Sequence, residues 1–166
     1  VSNRIAVLNL GEIQQVDRPE QIYRRPYNLF VANFIGTSDR FDGVVIERAG
    51  EVTTIALDNG YVLNVKGLKT GVENGRKVVV SVRPENFKIT EEPTALECTV
   101  RLRQFLGSHV QYSLDSTYGE HFQVSQNADF DTKLHEEGDK IYLSIDAKAA
   151  NVFDAATTET LMEGVQ

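Results

Sequence analysis

Few residues of this chain are of types that do chemistry, and their spacing decides what each can do. Arg83-Pro84-Glu85 places a cation and a carboxylate on either side of a proline, directly after the apolar run Val78-Val79-Val80-Ser81-Val82. The proline ends a strand, because it has no N–H to give a ladder. The flanking charges then either bridge to a neighbouring element or meet a ligand. Gly107-Ser108-His109 invites a nucleophile reading, but the GxSxG elbow is missing and the tripeptide falls in a hairpin turn. His109, His121 and His135 are too far apart for a local zinc pattern, and Cys98, the single cysteine, does not complete one. A lone cysteine also forms no internal disulfide, and it reads as a buried structural thiol. The acids Asp129, Asp131, Glu136, Glu137 and Asp139 lack the glycine and the twelfth-position glutamate of a calcium loop, so they read as solvated surface. No GxxxxGK[ST] cradle and no GxGxxG turn is present for a nucleotide's phosphates. The sequence therefore predicts no catalytic residue, no metal site and no cofactor site in this chain.

The elements that would carry these residues fall into two regimes of periodicity. Segments 5–8 and 13–16 flank Asn9-Leu10-Gly11-Glu12 and predict a hairpin. Asp17, as N-cap, precedes Arg18-Pro19-Glu20, which predicts a helix that Pro26 ends. A second helix over 28–35 sets Phe30 with Phe34 and Val31 with Ile35 at i,i+4 spacing, and Gly36 stops it. From there the period becomes two. Strands are predicted over 41–48, 52–57, 61–65 and 77–82, with Asn59-Gly60 as a strong hairpin turn. Glu91-Glu92-Pro93-Thr94 breaks the series, and a second group covers 96–106, 109–114, 120–124 and 140–145, with a further strand over 151–154. Four short strands before the break and four after it predict barrels or sandwiches of repeated architecture, with two small β-barrels the simplest solution. The tail past Glu163 is expected to fray.

The 166 residues suffice for one domain or two small ones sharing a core, and 41% hydrophobic content is that of a globular protein. No apolar run approaches the roughly 20 residues of a membrane span, and the start at Val1 has no signal-peptide character. A start without Met reads as a piece of something longer. Net charge is −7, divided as four basic and three acidic residues up to Gly36, then thirteen and twenty-one beyond it, or +1 and −8. Tyr112, Tyr118 and Phe122 offer faces for base stacking, but a surface of that sign repels a phosphate backbone, so no nucleic-acid partner is expected.

Three anchors in chain order resemble one family, the ATPase subunits of the maltose, polyamine and ferric-ion class of ABC importers. The first runs from Ser2 through Val16 and on to Pro19-Glu20-Gln21-Ile22-Tyr23 and Pro26. It looks like the end of the nucleotide-binding domain, and Phe30-Val31-Ala32-Asn33-Phe34-Ile35-Gly36 looks like the helix leading out of it. The second, Val80-Ser81-Val82-Arg83-Pro84-Glu85, is similar to the Arg-Pro-Glu signature of the transport-associated OB (TOBE) region. The third, Phe105-Leu106-Gly107-Ser108 into His109-Val110-Gln111-Tyr112, resembles that region's Leu-Gly hairpin, and Val152-Phe153-Asp154 resembles its closing segment. Where the family commonly has Thr-Gly in the last turn, this chain has Thr157-Thr158, so a different turn or a looser tail is expected.

The resemblance implies a mainly β fold: tandem interleaved OB-like barrels preceded by a short β-hairpin and helical segment. It divides the chain into 1–37, a C-terminal remnant of the nucleotide-binding domain, and 38–166, the TOBE region. The family's Walker motifs, signature segment and switch histidine would all precede Val1, so ATP and Mg belong to the full-length subunit. The implied role is a regulatory and dimerisation module that pairs with a second copy of itself. In the intact protein it would work with membrane-spanning permease subunits at the cytoplasmic face of the plasma membrane. Polyamine, iron and sugar importers share these anchors. The alternative is an OB-like module binding a small ligand: an oxyanion, a metal or a polyamine. Ser81, Arg83, Glu85 and Ser108 are the candidate ligand or inter-barrel contacts. Phe30, Phe34 and Ile35, without a nucleotide-binding core beside them, are expected to fold back on the barrels or enter a dimer interface.

Overall fold

A computed structural model describes residues 3–165 of the chain. Ser2, which opens the first anchor, and Gln166, at the end of the tail, lie outside them. The chain begins with β1 (Ile5–Asn9) and β2 (Glu12–Asp17), paired antiparallel around Leu10 and Gly11, both at positive φ. Helix α1 (Pro19–Arg24) follows. Its N-cap is Arg18 and not the predicted Asp17, whose Oδ1 accepts the Arg18 N–H at 2.8 Å. Pro19 is the cause, since its ring drives the preceding residue out of the helical region, and Arg18 sits at φ −66, ψ 146. Helix α2 (Leu29–Ile35) is capped by Asn28, whose Oδ1 accepts the Val31 N–H at 2.9 Å. The helix ends at Gly36 as predicted, but there the backbone is extended, so the stop does not use a left-handed turn. A Cβ at Gly36 would stand 3.4 Å from both Arg83 Nη1 and the Tyr23 ring.

Two five-stranded antiparallel sheets make up the rest. The first has the order β12-β6-β3-β4-β5, from β3 (Asp39–Ala49), β4 (Val52–Leu57), β5 (Val62–Lys66), β6 (Lys77–Val82) and β12 (Asn151–Asp154). The second has the order β10-β9-β8-β11-β7, from β7 (Phe87–Thr90), β8 (Leu96–Phe105), β9 (His109–Ser116), β10 (His121–Asn127) and β11 (Lys140–Ile145). The interleaving is physical: β12, from the far end of the chain, pairs with β6 and returns to the first sheet. Bulges in β3 and β8 bend each sheet toward closure, and β10 comes round to touch the 3-10 turn Pro84–Asn86 and β7.

Strand β7 has no counterpart in the sequence reading, because four residues behind a turn carry too little alternation to be seen. It stands before the Glu91–Thr94 break yet pairs with β11, so the break lies inside the second sheet and not between the two. One apolar core serves both sheets. At their seam Phe41 of the first sheet meets Phe122 and Phe87 of the second at ring distances of 5.2 and 6.1 Å. Cys98 is buried, and burial pushes its thiol up to about 12, so it is inert.

The closing turn departs from expectation. Asp154 accepts the N–H groups of Ala156 and Thr157 at 2.9 and 2.8 Å and the Arg76 Nε–H at 2.6 Å, which together hold its carboxyl at about 2. The turn is therefore tight, with Thr158 at φ +65, a conformation that glycine favours. Among the described residues the tail past Glu163 reaches Val165, which packs on the core behind the buried Leu161 and Met162. The strain at Thr158 predicts that Thr158→Gly stabilises the fold by about 1 kcal/mol, read as a raised midpoint in urea denaturation.

Asp39, at the start of β3, reaches across the seam. Its carboxylate accepts the backbone N–H of Gln123 on edge strand β10 at 3.3 and 3.4 Å, and among the described residues it has no ion-pair partner. Burial pushes its carboxyl up to about 7, against the opposing pull of that N–H. The folded protein then holds a proton that the unfolded chain releases near pH 4, so this contribution to stability is full below pH 4 and is lost as pH rises to 7. Urea melts across that window should show the wild type falling relative to Asp39→Asn, with parallel curves refuting the buried acid.

Candidate functional site

The charged side chains converge where the hairpin and helices meet the first sheet. Arg83 leaves the end of β6 and is only 4% exposed. Its Nη1 donates to the carbonyls of Ala32, Gly36 and Thr37 at 2.9, 2.8 and 3.2 Å, and its Nη2 to the carbonyl of Tyr23 at 3.3 Å. The guanidinium thus satisfies carbonyls that the end of α2 leaves open, and it meets the favourable end of the helix dipole. It also lies 4.5 Å from the centre of the Tyr23 ring. Tyr23 in turn donates its O–H to Glu85 Oε2. Burial first, then that hydrogen bond and the Glu85 charge, push the Tyr23 phenol up to about 12, so it stays a donor. Burial lowers the Arg83 pKa, and Tyr23 and Glu85 oppose the shift. Only an always-charged planar fork fits this role.

A second arginine fastens the other side. Arg25, just past α1, donates from Nη1 to the Ala150 carbonyl and Asn151 Oδ1 at 2.9 and 3.0 Å, and from Nη2 to the Lys148 carbonyl at 2.6 Å. Asn151 returns a hydrogen bond from Nδ2 to the Arg24 carbonyl at 3.0 Å. Beside these polar clasps, Leu29 and Ala32 of α2 pack on Phe153 and Val79 of the first sheet. The barrel-facing residues are thus not the predicted Phe30, Phe34 and Ile35. Phe30 and Ile35 complete a small core with Val7, Ile22 and Val31 inside the hairpin-helix unit, and Phe34 stays 65% exposed, stacked on Phe30. The i,i+4 stripe packs within the unit, and the face anchored to the first sheet lies one position round the helix.

Between α1 and residues 148–151 a cleft of about 670 Å³ opens, with Tyr23, Arg24, Arg25, Arg83, Glu85 and Lys148 in its walls. Of the residues singled out from sequence, Arg83 and Glu85 line it. Ser81 is buried on β6, in register with Asn151 and Arg40, behind the wall. Ser108 stands apart in the β8–β9 turn, its Oγ 3.2 Å from His109 Nδ1 and its carbonyl accepting from Ala128 N. Tyr23, Arg25 and Asn151 escaped sequence reasoning, since 60 residues separate Tyr23 from Arg83 and 126 separate Arg25 from Asn151. Among the described residues no three His, Cys, Asp or Glu side chains gather as a metal site, and no helix is long and apolar enough to cross a membrane.

Comparison with known proteins gives this geometry a context. Residues 80–153 match the model of the TOBE domain. The chain is 34% identical to the Fe(3+) ions import ATP-binding protein FbpC of Fusobacterium nucleatum subsp. nucleatum over 99% of its own length and 43% of the relative's. It is 35% identical to the spermidine/putrescine import ATP-binding protein PotA of Salmonella typhimurium over 82% of the chain and 39% of that protein. The chain thus spans less than half the length of these relatives. Among solved structures, the molybdate-bound cytoplasmic molybdate-binding protein ModG superposes with a TM-score of 0.54 at 18% identity, covering 69% of this chain and 94% of that one, a likeness of OB-type fold.

Replacing Arg83 by Lys keeps the charge and loses the fork. Arg83→Lys is expected to cost about 2 kcal/mol in urea denaturation and to open the segment between Val16 and Gly36 to limited proteolysis. Ser108→Ala, outside the joint, should stay within about 0.5 kcal/mol of wild type.

Proposed function

We propose that this chain, which carries a TOBE domain and is homologous to importer ATP-binding subunits along nearly all of its length, is the regulatory and dimerisation module of an ABC importer ATPase subunit. The observation that carries this reading is the double arginine clasp. It ties the hairpin-helix unit, the stretch that resembles the end of a nucleotide-binding domain, to the barrels through both α2 and the β11–β12 connection. A unit held this firmly passes a rotation on to the barrels instead of absorbing it.

Residues 1–37 are the remnant of the nucleotide-binding domain in this reading, and 38–166 the regulatory part. The unit's exposed apolar side chains support the division: Leu10 is 97% exposed at the hairpin tip, the paired Leu8 and Ile13 are also exposed, and Phe34 is exposed on α2, all suited to contact with the body of that domain. The barrels pair with a second copy and keep two ATPase subunits together while they open and close around nucleotide. ATP and Mg act in the full-length subunit, this chain alone performs no hydrolysis, and the intact complex sits with its permease subunits at the cytoplasmic face of the membrane.

Sedimentation of the isolated chain tests the pairing. A dimer at micromolar concentration is expected, and a strict monomer at high concentration would remove dimerisation from the proposal. ATP turnover by the chain would overturn the non-catalytic role.

A further inference from the structure

The cleft beside the clasp carries more positive charge than its surroundings explain. Arg24, Arg25, Arg83 and Lys148 stand in its walls against Glu20 and Glu85, a local balance of +2 in a chain whose net charge is −7. Among the described residues none of the four cations is in an ion pair. Arg83 and Arg25 direct their donors to carbonyl and amide oxygens, which satisfy hydrogen bonds without neutralising either charge, and Arg83 is favoured further by the Tyr23 ring and the Glu85 charge. The exposed Arg24 and Lys148 side chains make no hydrogen bond among the described residues and reach the cleft from opposite walls, one from α1 and one from the β11–β12 connection. The carboxylates of Glu85, which accepts the Tyr23 hydroxyl, and of Glu20, exposed on α1, offset two of the four positive charges and leave the excess of two. A concave site lined with one excess sign focuses its field on ions of the other.

We propose that this cleft binds a small organic anion with two or more charges, carried on phosphate or carboxylate groups. Its volume of about 670 Å³ is that of a metabolite pocket and exceeds the needs of a single inorganic phosphate. Arg24 and Lys148 are the specificity-determining cations, and Arg25 and Arg83 supply fixed background potential. Because the cleft spans both sides of the joint, a bound anion ties α1 to the barrels a third time and stiffens their relative orientation. The site does not depend on whether the chain pairs with a second copy.

Calorimetric titration of the chain with inorganic phosphate, pyrophosphate and citrate at constant ionic strength tests it, with amide shifts followed by NMR. Saturable binding of pyrophosphate or citrate is expected, tighter than inorganic phosphate, with the largest shifts at Arg24, Asn86 and Lys148. Binding of one and not the other distinguishes a phosphate from a carboxylate ligand. The Arg24→Ala/Lys148→Ala variant changes only exposed side chains, so it should keep the wild-type denaturation midpoint and lose affinity about tenfold or more. Lys148→Glu alone should weaken binding likewise. Absence of saturation with all three anions, or affinity unchanged in both variants, overturns the proposal. Sedimentation of the same samples shows separately whether the chain is dimeric.

Discussion

A guanidinium buried at the end of a strand is costly unless its N–H groups find oxygen, and Arg83 directs Nη1 and Nη2 to four carbonyls, of Tyr23 in α1, Ala32 in α2, and Gly36 and Thr37 just past it. Removing one partner of such an arrangement is far more destabilising than the net worth of the arrangement suggests. The neighbouring features follow from it. Gly36 lies close against the guanidinium and the Tyr23 ring, Tyr23 lies against the charge, and Glu85 fixes Tyr23 from the other side of Pro84. The Arg-Pro-Glu tripeptide is thus one mechanical part: the proline turns the chain, the arginine grips the helices, and the glutamate steadies the ring.

The barrels resist separation from each other for a different reason. They share one apolar core, and the final strand β12 belongs to the first sheet although the whole second sheet intervenes in sequence. Two polar ties cross the seam: Asp39 takes the Gln123 N–H, and the Tyr61 hydroxyl takes the Ile145 N–H at 3.0 Å. Rigid coupling within the barrels and rigid coupling to the hairpin-helix unit suit a part that transmits position. Charge follows the same division, with an acidic surface over the barrels and the positive cleft confined to the joint.

The sequence by itself determined the β character, the hairpin, the two helices and most strand positions, because alternation, Asn-Gly turns and proline stops are local signals that tertiary context did not override here. It also singled out Arg83 and Glu85, since a charged pair around a proline after five nearly continuous apolar residues is locally conspicuous. Tertiary structure alone decided the rest. Strand β7 is too short to show a period, and the pairing of β12 with β6 joins residues about seventy positions apart. Which face of α2 meets the barrels depended on where Phe153 and Val79 lay, which no helical period states. The partners of Arg83 and Arg25, and the cleft between them, come from segments brought together only by folding. Residue type shows what a side chain can bond to, whereas the packed chain settles which oxygen is within 3 Å.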